Sequence, residues 1–527
     1  MNQKLFVSTA AVVFVSAGMI QCRQKEEKPM NVVFFLVDDL GWMDTGCYGS
    51  SFYDTPNIDN FATEGLRFTS AYSPCHVCSP SRASILTGKY PATLNLTDWL
   101  PGRLDFPFHK LRNVQINQHL PYGVTTIPGV LQANGYRTAI FGKWHLGEDS
   151  ASTSRHGFDL HIPDWNKGWP NKGYFSPYEL KGLEGGPDGE YLTDRLTSEA
   201  LKYLEENREH PFFLYLSHFA VHDPIEGRPD LVEKYREKLK QTPLALSPSF
   251  ILEENPDAIE RSDLTLQEDA HKGYRVFQDQ TVKIKQIQDN VEFAAMVESM
   301  DESFGRVLKK LEDLGLEDRT IVIFYSDNGG MSAANFYYPD HQFSEDRLDK
   351  EFSTSNLPLR GGKGWLYEGG IRVPLIIKWP GKGLQGAVCD VPVTGPDFLP
   401  TILEMLGIKA QPDADTDGVS LTPLLKGESD INREAIFWHF PHYSNHGMQS
   451  PGGAVRFGDY KLLEYYENNT LQLFNLRDDI AEQNDLSEAE PEKVKDLQEK
   501  LHHWRKSVDT KMMEPNPDFK SININSN

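Results

Sequence analysis

Short, continuous runs of β-branched and aromatic residues punctuate the chain, and a polar or helix-like stretch comes after each one. Asn31–Val37 (NVVFFLV), Arg137–Phe141 (RTAIF), Pro211–Leu216 (PFFLYL) and Thr320–Tyr325 (TIVIFY) show almost no polar alternation. That is the pattern of strands buried on both faces. Helical periodicity runs over Thr193–Asn207, over about Gln288–Leu314 with Gly315 closing it, and over Gly395–Leu406. Strands alternating with helices predict an α/β fold with a large, mostly parallel central sheet flanked by helices. Residues 225–290, rich in Glu, Lys and Gln, read as an insertion of helices and loops. From about Arg433 the style changes. AIFWHF, AVRFGDYKLLEYY and LQLFNL predict an antiparallel sheet, with a helix over Glu490–Val508 after it. The expected organisation is a large domain over residues 30–425 and a smaller C-terminal α+β subdomain over 430–515, with a disordered tail after Pro515.

Each buried run leads directly into chemistry-bearing residues. The first runs into Asp38 and Asp39, the second into Lys143 and His145, the third into His218 and His222, the fourth into Asp327 and Asn328. Open α/β sheets bind ligands at the carboxyl ends of their strands. Any one of these residues could simply cap the next helix; four strands delivering such groups to one edge predict an active site. Asp38, Asp39, Asp327 and Asn328 offer hard oxygen ligands, which suit calcium or magnesium better than zinc. Calcium tolerates an irregular site drawn from distant strands and is the expected ion.

Charge sharpens this expectation. Among 527 residues, 53 Lys and Arg stand against 76 Asp and Glu, a formal net charge of −23. That excludes general nucleic-acid binding and obliges any anion site to gather positive charge locally. The N-terminus predicts a targeting segment over residues 1–22, with a basic start at Lys4, an apolar run over residues 5–17 too short to span a bilayer, and Cys22. Cys22 resembles the lipidated cysteine of bacterial lipoproteins, which predicts export to the periplasm or cell surface and membrane contact only through the anchor.

Cys75 and Cys78 form a CxxC pair, but no second pair or histidine cluster completes a zinc site. The informative frame begins at the second cysteine. Cys78-Ser79-Pro80-Ser81-Arg82, with Leu86-Thr87-Gly88 beyond it, resembles the signature of the type I sulfatases of the alkaline-phosphatase-like superfamily, and GYRTAIFGKWH at 135–145 resembles that family's second signature. The likeness continues through Asp38-Asp39, His222 in HDP, SDNGG at 326–330, GGKGWLYEGGIRVP at 361–374 and the late LFNLRDDIAEQNDL. The resemblance implies that a maturating enzyme oxidises Cys78 to formylglycine (3-oxoalanine), whose hydrate supplies an oxygen nucleophile. It also implies that Asp38, Asp39, Asp327, Asn328 and the modified Cys78 hold Ca2+. Arg82 would then polarise the hydrate, Lys143 and Lys363 clamp sulfate, His145 act as base and His222 as acid.

The expected reaction is hydrolysis of a sulfate ester on a carbohydrate, such as a galactose or N-acetylgalactosamine sulfate. Asp98, His442 and Arg456, with Trp165 and His446, are candidate sugar contacts. Two alternatives are a phosphomonoester or phosphonate hydrolase of the same superfamily, and a non-catalytic glycan-binding lipoprotein. His218 and Cys75 are expected to be structural. Asp413–Gly418 imitates the start of an EF-hand loop, but its twelfth position is Leu424 rather than the Glu that such a loop needs.

Overall fold

The computed structural model describes residues 28–520 apart from 108, 148–151, 184–185, 242–248, 258–281, 336–347 and 410–414. The expected targeting segment and Cys22 lie outside the described residues.

An eight-stranded mixed sheet forms the centre. In chain order its strands are β1 (Asn31–Val37), β2 (Leu66–Phe68), β3 (Arg137–Gly142), β4 (Leu160–Ile162), β5 (Phe212–Ser217), β6 (Thr320–Ser326), β7 (Leu375–Lys378) and β8 (Ala387–Cys389). Across the sheet the order is β8-β2-β7-β6-β1-β5-β3-β4. The four strands anticipated from their apolar runs lie side by side in the middle and are mutually parallel. Only β7 runs antiparallel to its neighbours. Alternate residues of β1 serve opposite layers. Phe35 packs edge-on to Phe304 at 5.0 Å on one side, and Phe34 edge-on to Phe398 at 5.0 Å on the other. Phe304 belongs to the long helix Val291–Asp313, and Phe398 opens the helix Phe398–Met405.

Register decides what the sheet presents. Val37 of β1 pairs with Ser326 of β6, Leu36 with Ser217 of β5, and Ser217 in turn with Gly142 of β3. The four central strands therefore end level, and Asp38, Asp327, His218 and Lys143 emerge at one edge.

The C-terminal sheet is antiparallel and four-stranded: β9 (Ile436–Phe440), β10 (Gly452–Phe457), β11 (Tyr460–Tyr465) and β12 (Leu471–Asn475). One face is covered by the helix Pro491–Ser507, where Trp504 stacks on Phe437 at 4.8 Å. The other face presses Trp438 and Ala454 against Trp365, Tyr367 and Tyr72 of the larger unit.

Two expectations need correction. The insertion is not made of helices and loops alone: after the helix Pro229–Gln241, Phe250–Glu253 pairs antiparallel with Val282–Lys285. Nor is the chain loose immediately after Pro515. Glu514–Pro515 pairs with Leu111–Arg112, and the Asn516 side chain donates to the carbonyls of Phe106 and His109. The buried amide fixes the segment through satisfied hydrogen bonds.

Candidate active site

Cys78 is the first residue of the ten-residue helix Cys78–Thr87 and is 4 % exposed. One turn on, the same helix carries Arg82, whose guanidinium ties three strand ends together. Its Nε donates to Asp327 Oδ2 at 2.8 Å, and one terminal nitrogen donates to the Lys143 carbonyl at 3.0 Å and to Ser217 Oγ at 2.6 Å. The other terminal nitrogen lies 3.6 Å from Asp38 Oδ1. Lys143 reaches this edge because Gly142 takes φ 108° against β5, where a Cβ would sit 1.9 Å from the Ser217 carbonyl oxygen. No other residue type fits there.

Carboxylate oxygens of Asp38, Asp39 and Asp327 lie within 4.8 Å of one another, and so do ligand atoms of Asp38, Cys78 and His222. All are buried. Lys143 Nζ donates to Asp38 Oδ2 at 2.6 Å and Lys363 Nζ to Asp39 Oδ2 at 2.8 Å. Asn328 donates to Asp39 Oδ1 at 2.7 Å, while its own Oδ1, like Asp38 Oδ1, is buried without a hydrogen-bond partner. Two orphaned acceptors beside a carboxylate trio are the donor set of a hard cation. Calcium fits these residues.

Burial pushes the Asp39 carboxyl up, but Lys363, His222 and Lys143 more than reverse this and hold it below the usual range. Asp327 goes the other way. Burial and the neighbouring Asp38 raise it to about 6, despite Arg82. Such divergent carboxylates in one crevice mark functional sites.

The two histidines differ in protonation. His145 Nε2 lies 2.8 Å from the Leu100 carbonyl, which can only accept, so Nε2 carries the hydrogen. Its Nδ1 is then the bare nitrogen, buried with no partner, and burial with Lys143 nearby holds the ring neutral. His222 is the reverse case. Burial and Lys363 lower its pKa, but Asp223, Asp39 and Asp38 outweigh them and raise it to about 9. Its Nδ1 lies 2.6 Å from Asp223 Oδ1 and 2.7 Å from the Asp223 carbonyl, and Nε2 faces Asp39 Oδ2 at 3.8 Å. One imidazole is thus held neutral and the other protonated.

The fold brings together Asp38, Asp39, Cys78, Arg82, Lys143, His145, His222, Asp327, Asn328 and Lys363. Asp98 lies nearby, accepting from the backbone of Trp99 and Arg103, and burial raises its carboxyl to about 7. His442 is buried and bonded to Thr97 Oγ1 at 2.8 Å. Arg456 does not join the group. Its guanidinium bonds Tyr72 and the Gly458 carbonyl, because its strand face turns toward a buried charge cluster between the two units. There Lys461 Nζ lies 3.0 Å from Glu368 Oε1 and 2.9 Å from Glu482 Oε1, all fully buried. His218 bonds Ser303 Oγ at 2.9 Å and packs on Phe35, and Cys75 is a buried free thiol. Asp415 and Asp417 of the EF-hand-like loop face Lys89, Tyr90 and Thr93.

Three contributors escape sequence reading. Ser217 and the Leu100 carbonyl carry no type-specific signal. Asp223 had one, its place beside His222 in HDP.

A family model described as Sulfatase matches residues 30–408, and one described as N-sulphoglucosamine sulphohydrolase, C-terminal, matches 362–509. A sulfatase of Formosa agariphila is 29% identical, with 89% of this chain and 86% of that protein covered. Human N-acetylgalactosamine-6-sulfatase is 30% identical over 78% of this chain and 68% of its own. Among solved structures, Ps i-CgsB in complex with k-i-k-neocarrahexaose superposes with a TM-score of 0.67 at 26% identity, covering 90% of this chain and 93% of that one.

Proposed function

The chain belongs to the sulfatase family and is a sulfuric ester hydrolase; on that premise we propose that it removes sulfate from a carbohydrate in a calcium- and formylglycine-dependent reaction. The observation that carries this reading is the charge balance of the crevice. Three buried carboxylates (Asp38, Asp39, Asp327) and the half-buried Asp223 face Arg82, Lys143 and Lys363, with His222 as a further cation. A bound divalent ion would tip this near-neutral cluster positive and so favour an anionic ester within an acidic protein.

Asp38, Asp39, Asp327 and Asn328 would hold the ion, which supplies charge neutralisation and polarises sulfate oxygens. Cys78, once oxidised to formylglycine, supplies an oxygen nucleophile beside Arg82. Lys143 and Lys363 would exchange their carboxylate contacts for sulfate oxygens, orienting the ester. His222, protonated and held by Asp223, delivers a proton from Nε2 to the leaving sugar oxygen. His145, neutral with Nδ1 bare, takes a proton back. The sugar itself is suggested by relatives named for carbohydrate sulfates, human N-acetylgalactosamine-6-sulfatase among them. A galactose or N-acetylgalactosamine sulfate is the first choice for testing.

Mass spectrometry of the peptide containing Cys78, after co-expression with a maturating enzyme, should show loss of the thiol in favour of the aldehyde. Parallel assays on aryl sulfate and aryl phosphate should favour sulfate. An unaltered thiol with full activity, or stronger phosphatase than sulfatase turnover, overturns the reading. Export as a lipoprotein anchored at Cys22 completes the proposal. Labelling with a radioactive fatty acid, lost in Cys22→Ala, is the expected result.

A further inference from the structure

One buried side chain beside the catalytic cluster has no role in the sulfate-transfer chemistry. His446 is 5 % exposed, and neither ring nitrogen has a hydrogen-bond partner among the described residues. It lies on the loop joining β9 to β10, yet it packs on the residue after Lys363. Gly364 takes φ 89° there, and a Cβ on it would lie 2.5 Å from His446 Cβ and 2.2 Å from the His446 carbonyl oxygen. The C-terminal unit thus brings an imidazole against the peptide that carries the Lys363 ammonium to Asp39.

The loop is fixed on its other side too. Thr97 Oγ1 bonds His442 at 2.8 Å, Trp99 Nε1 donates to Asn445 Oδ1 at 3.0 Å, and Asn445 donates to Asn335 Oδ1 at 2.7 Å. Asn335 pairs in turn with His446 through the backbone. Leu100, next to Trp99, donates to Ser79 Oγ at 3.1 Å and accepts from His145. A circuit of contacts therefore runs from Ser79 through Leu100, Trp99, Asn445 and His446 to Lys363 and Asp39. It links the helix that starts at Cys78 to the peptide that carries Lys363, and His446 stands in it with both nitrogens uncommitted.

We propose that His446 reads a hydroxyl group of the sugar ring that bears the sulfate; this rests on the proposed sulfated-carbohydrate substrate. His446 lies close enough to Lys363, Asp39, Asp223 and His222 to interact with each electrostatically, so a ring whose sulfate is held by Lys143 and Lys363 has this imidazole as a neighbour. Burial, together with Lys363, keeps the imidazole neutral. A neutral imidazole has one donor and one acceptor, which matches a hydroxyl and not a second sulfate or carboxylate. A site that leaves buried polar atoms unpaired until the right hydroxyl arrives discriminates against ligands lacking it.

The test compares matured wild type, His446→Ala and His446→Gln on 4-methylumbelliferyl sulfate, which has no sugar, and on a panel of galactose, N-acetylgalactosamine and glucosamine 6-sulfates. The expected result is that kcat/KM for the preferred sugar sulfate, relative to the aryl sulfate, falls about tenfold or more in His446→Ala. His446→Gln, which keeps a donor and an acceptor, should recover part of the loss. If the alanine variant does not fold, His446→Phe, which fills the space without a donor or acceptor, takes its place in the test. An unchanged ratio in a folded variant overturns the role of His446 while leaving the carbohydrate reading intact. Equal loss on both substrates overturns it too, as a merely structural effect. Wild type that cleaves aryl sulfate but no sugar sulfate in the panel overturns the carbohydrate reading and the assignment with it.

Discussion

Replacing Lys461 with methionine should destabilise the protein by about 3–5 kcal/mol at pH 8, the usual cost of leaving a buried charge pair broken. Each contact, at about 3 Å and an effective dielectric of about 20, is worth roughly 5 kcal/mol of Coulomb energy before desolvation. The loss does not fall evenly. Glu368 keeps Arg372 at 3.2 Å and the Tyr72 hydroxyl at 2.7 Å, and although burial raises its carboxyl, Lys461, Arg372 and Arg456 hold it down to about 2. Glu482 keeps only the backbone amide of Glu368 among its described carboxylate partners other than Lys461, and burial already raises it to about 7. Removing Lys461 raises it further. A carboxyl whose folded pKa exceeds its unfolded value of 4.5 favours the fold while protonated, and that advantage is lost as pH rises toward the folded value. The deficit of Lys461→Met should therefore shrink as pH falls from 8 to 5.5. Guanidinium unfolding monitored by tryptophan fluorescence measures this, since Trp365 and Trp438 lie at the same interface. Adding Glu482→Gln should restore about half of the loss. A deficit under about 1 kcal/mol, or one equal at both pH values, would refute the reasoning.

Arg82→Lys replaces a planar fork that bonds Asp327, Ser217 and the Lys143 carbonyl with one point charge, so kcat/KM on aryl sulfate should fall about 100-fold or more. Asp223→Asn removes the carboxylate that most raises His222; since the acid form disappears as pH rises through its pKa of about 9, the alkaline limb of kcat should move to lower pH. An unmoved limb would remove His222 from the acid role. Chelation by EDTA should abolish turnover and lower the thermal midpoint, with calcium restoring both, because Asp38 Oδ1 and Asn328 Oδ1 have no hydrogen-bond partner among the described residues to take the ion's place.

The buried centre of the sheet was legible because β1, β3, β5 and β6 are largely apolar runs. The grouping of Asp38, Asp39, Lys143, Asp327 and Asn328 was legible because they come directly after such runs, whereas Cys78, Arg82 and Lys363 follow no such run and were read from the family resemblance. Edge pieces were not. In Val282–Lys285 two of four residues are lysines, both buried, with Lys285 paired to Asp289 at 2.6 Å. Burial of such side chains reverses the polar reading of the segment, which is why the insertion looked purely helical and looped. Arg456 was misplaced for a related reason. A strand residue faces one side or the other by register alone, and register with β9 and β11 turns this one inward to Tyr72. The roles of Ser217 and the Leu100 carbonyl arise only when distant segments meet.

The segment 361–372 carries two jobs within a dozen residues. Lys363 reaches the Asp39 carboxylate, while Glu368 and Arg372 anchor the charge cluster that receives Lys461 and Glu482 from the far unit. The two units are consequently not interchangeable cassettes. Grafting a relative's C-terminal unit onto this chain, to import a different sugar preference, would separate Glu482 and Lys461 from the partners they were matched to and disturb the seat of His446 on Gly364. A workable chimera would have to cut before Gly361 and carry Tyr72 across as well.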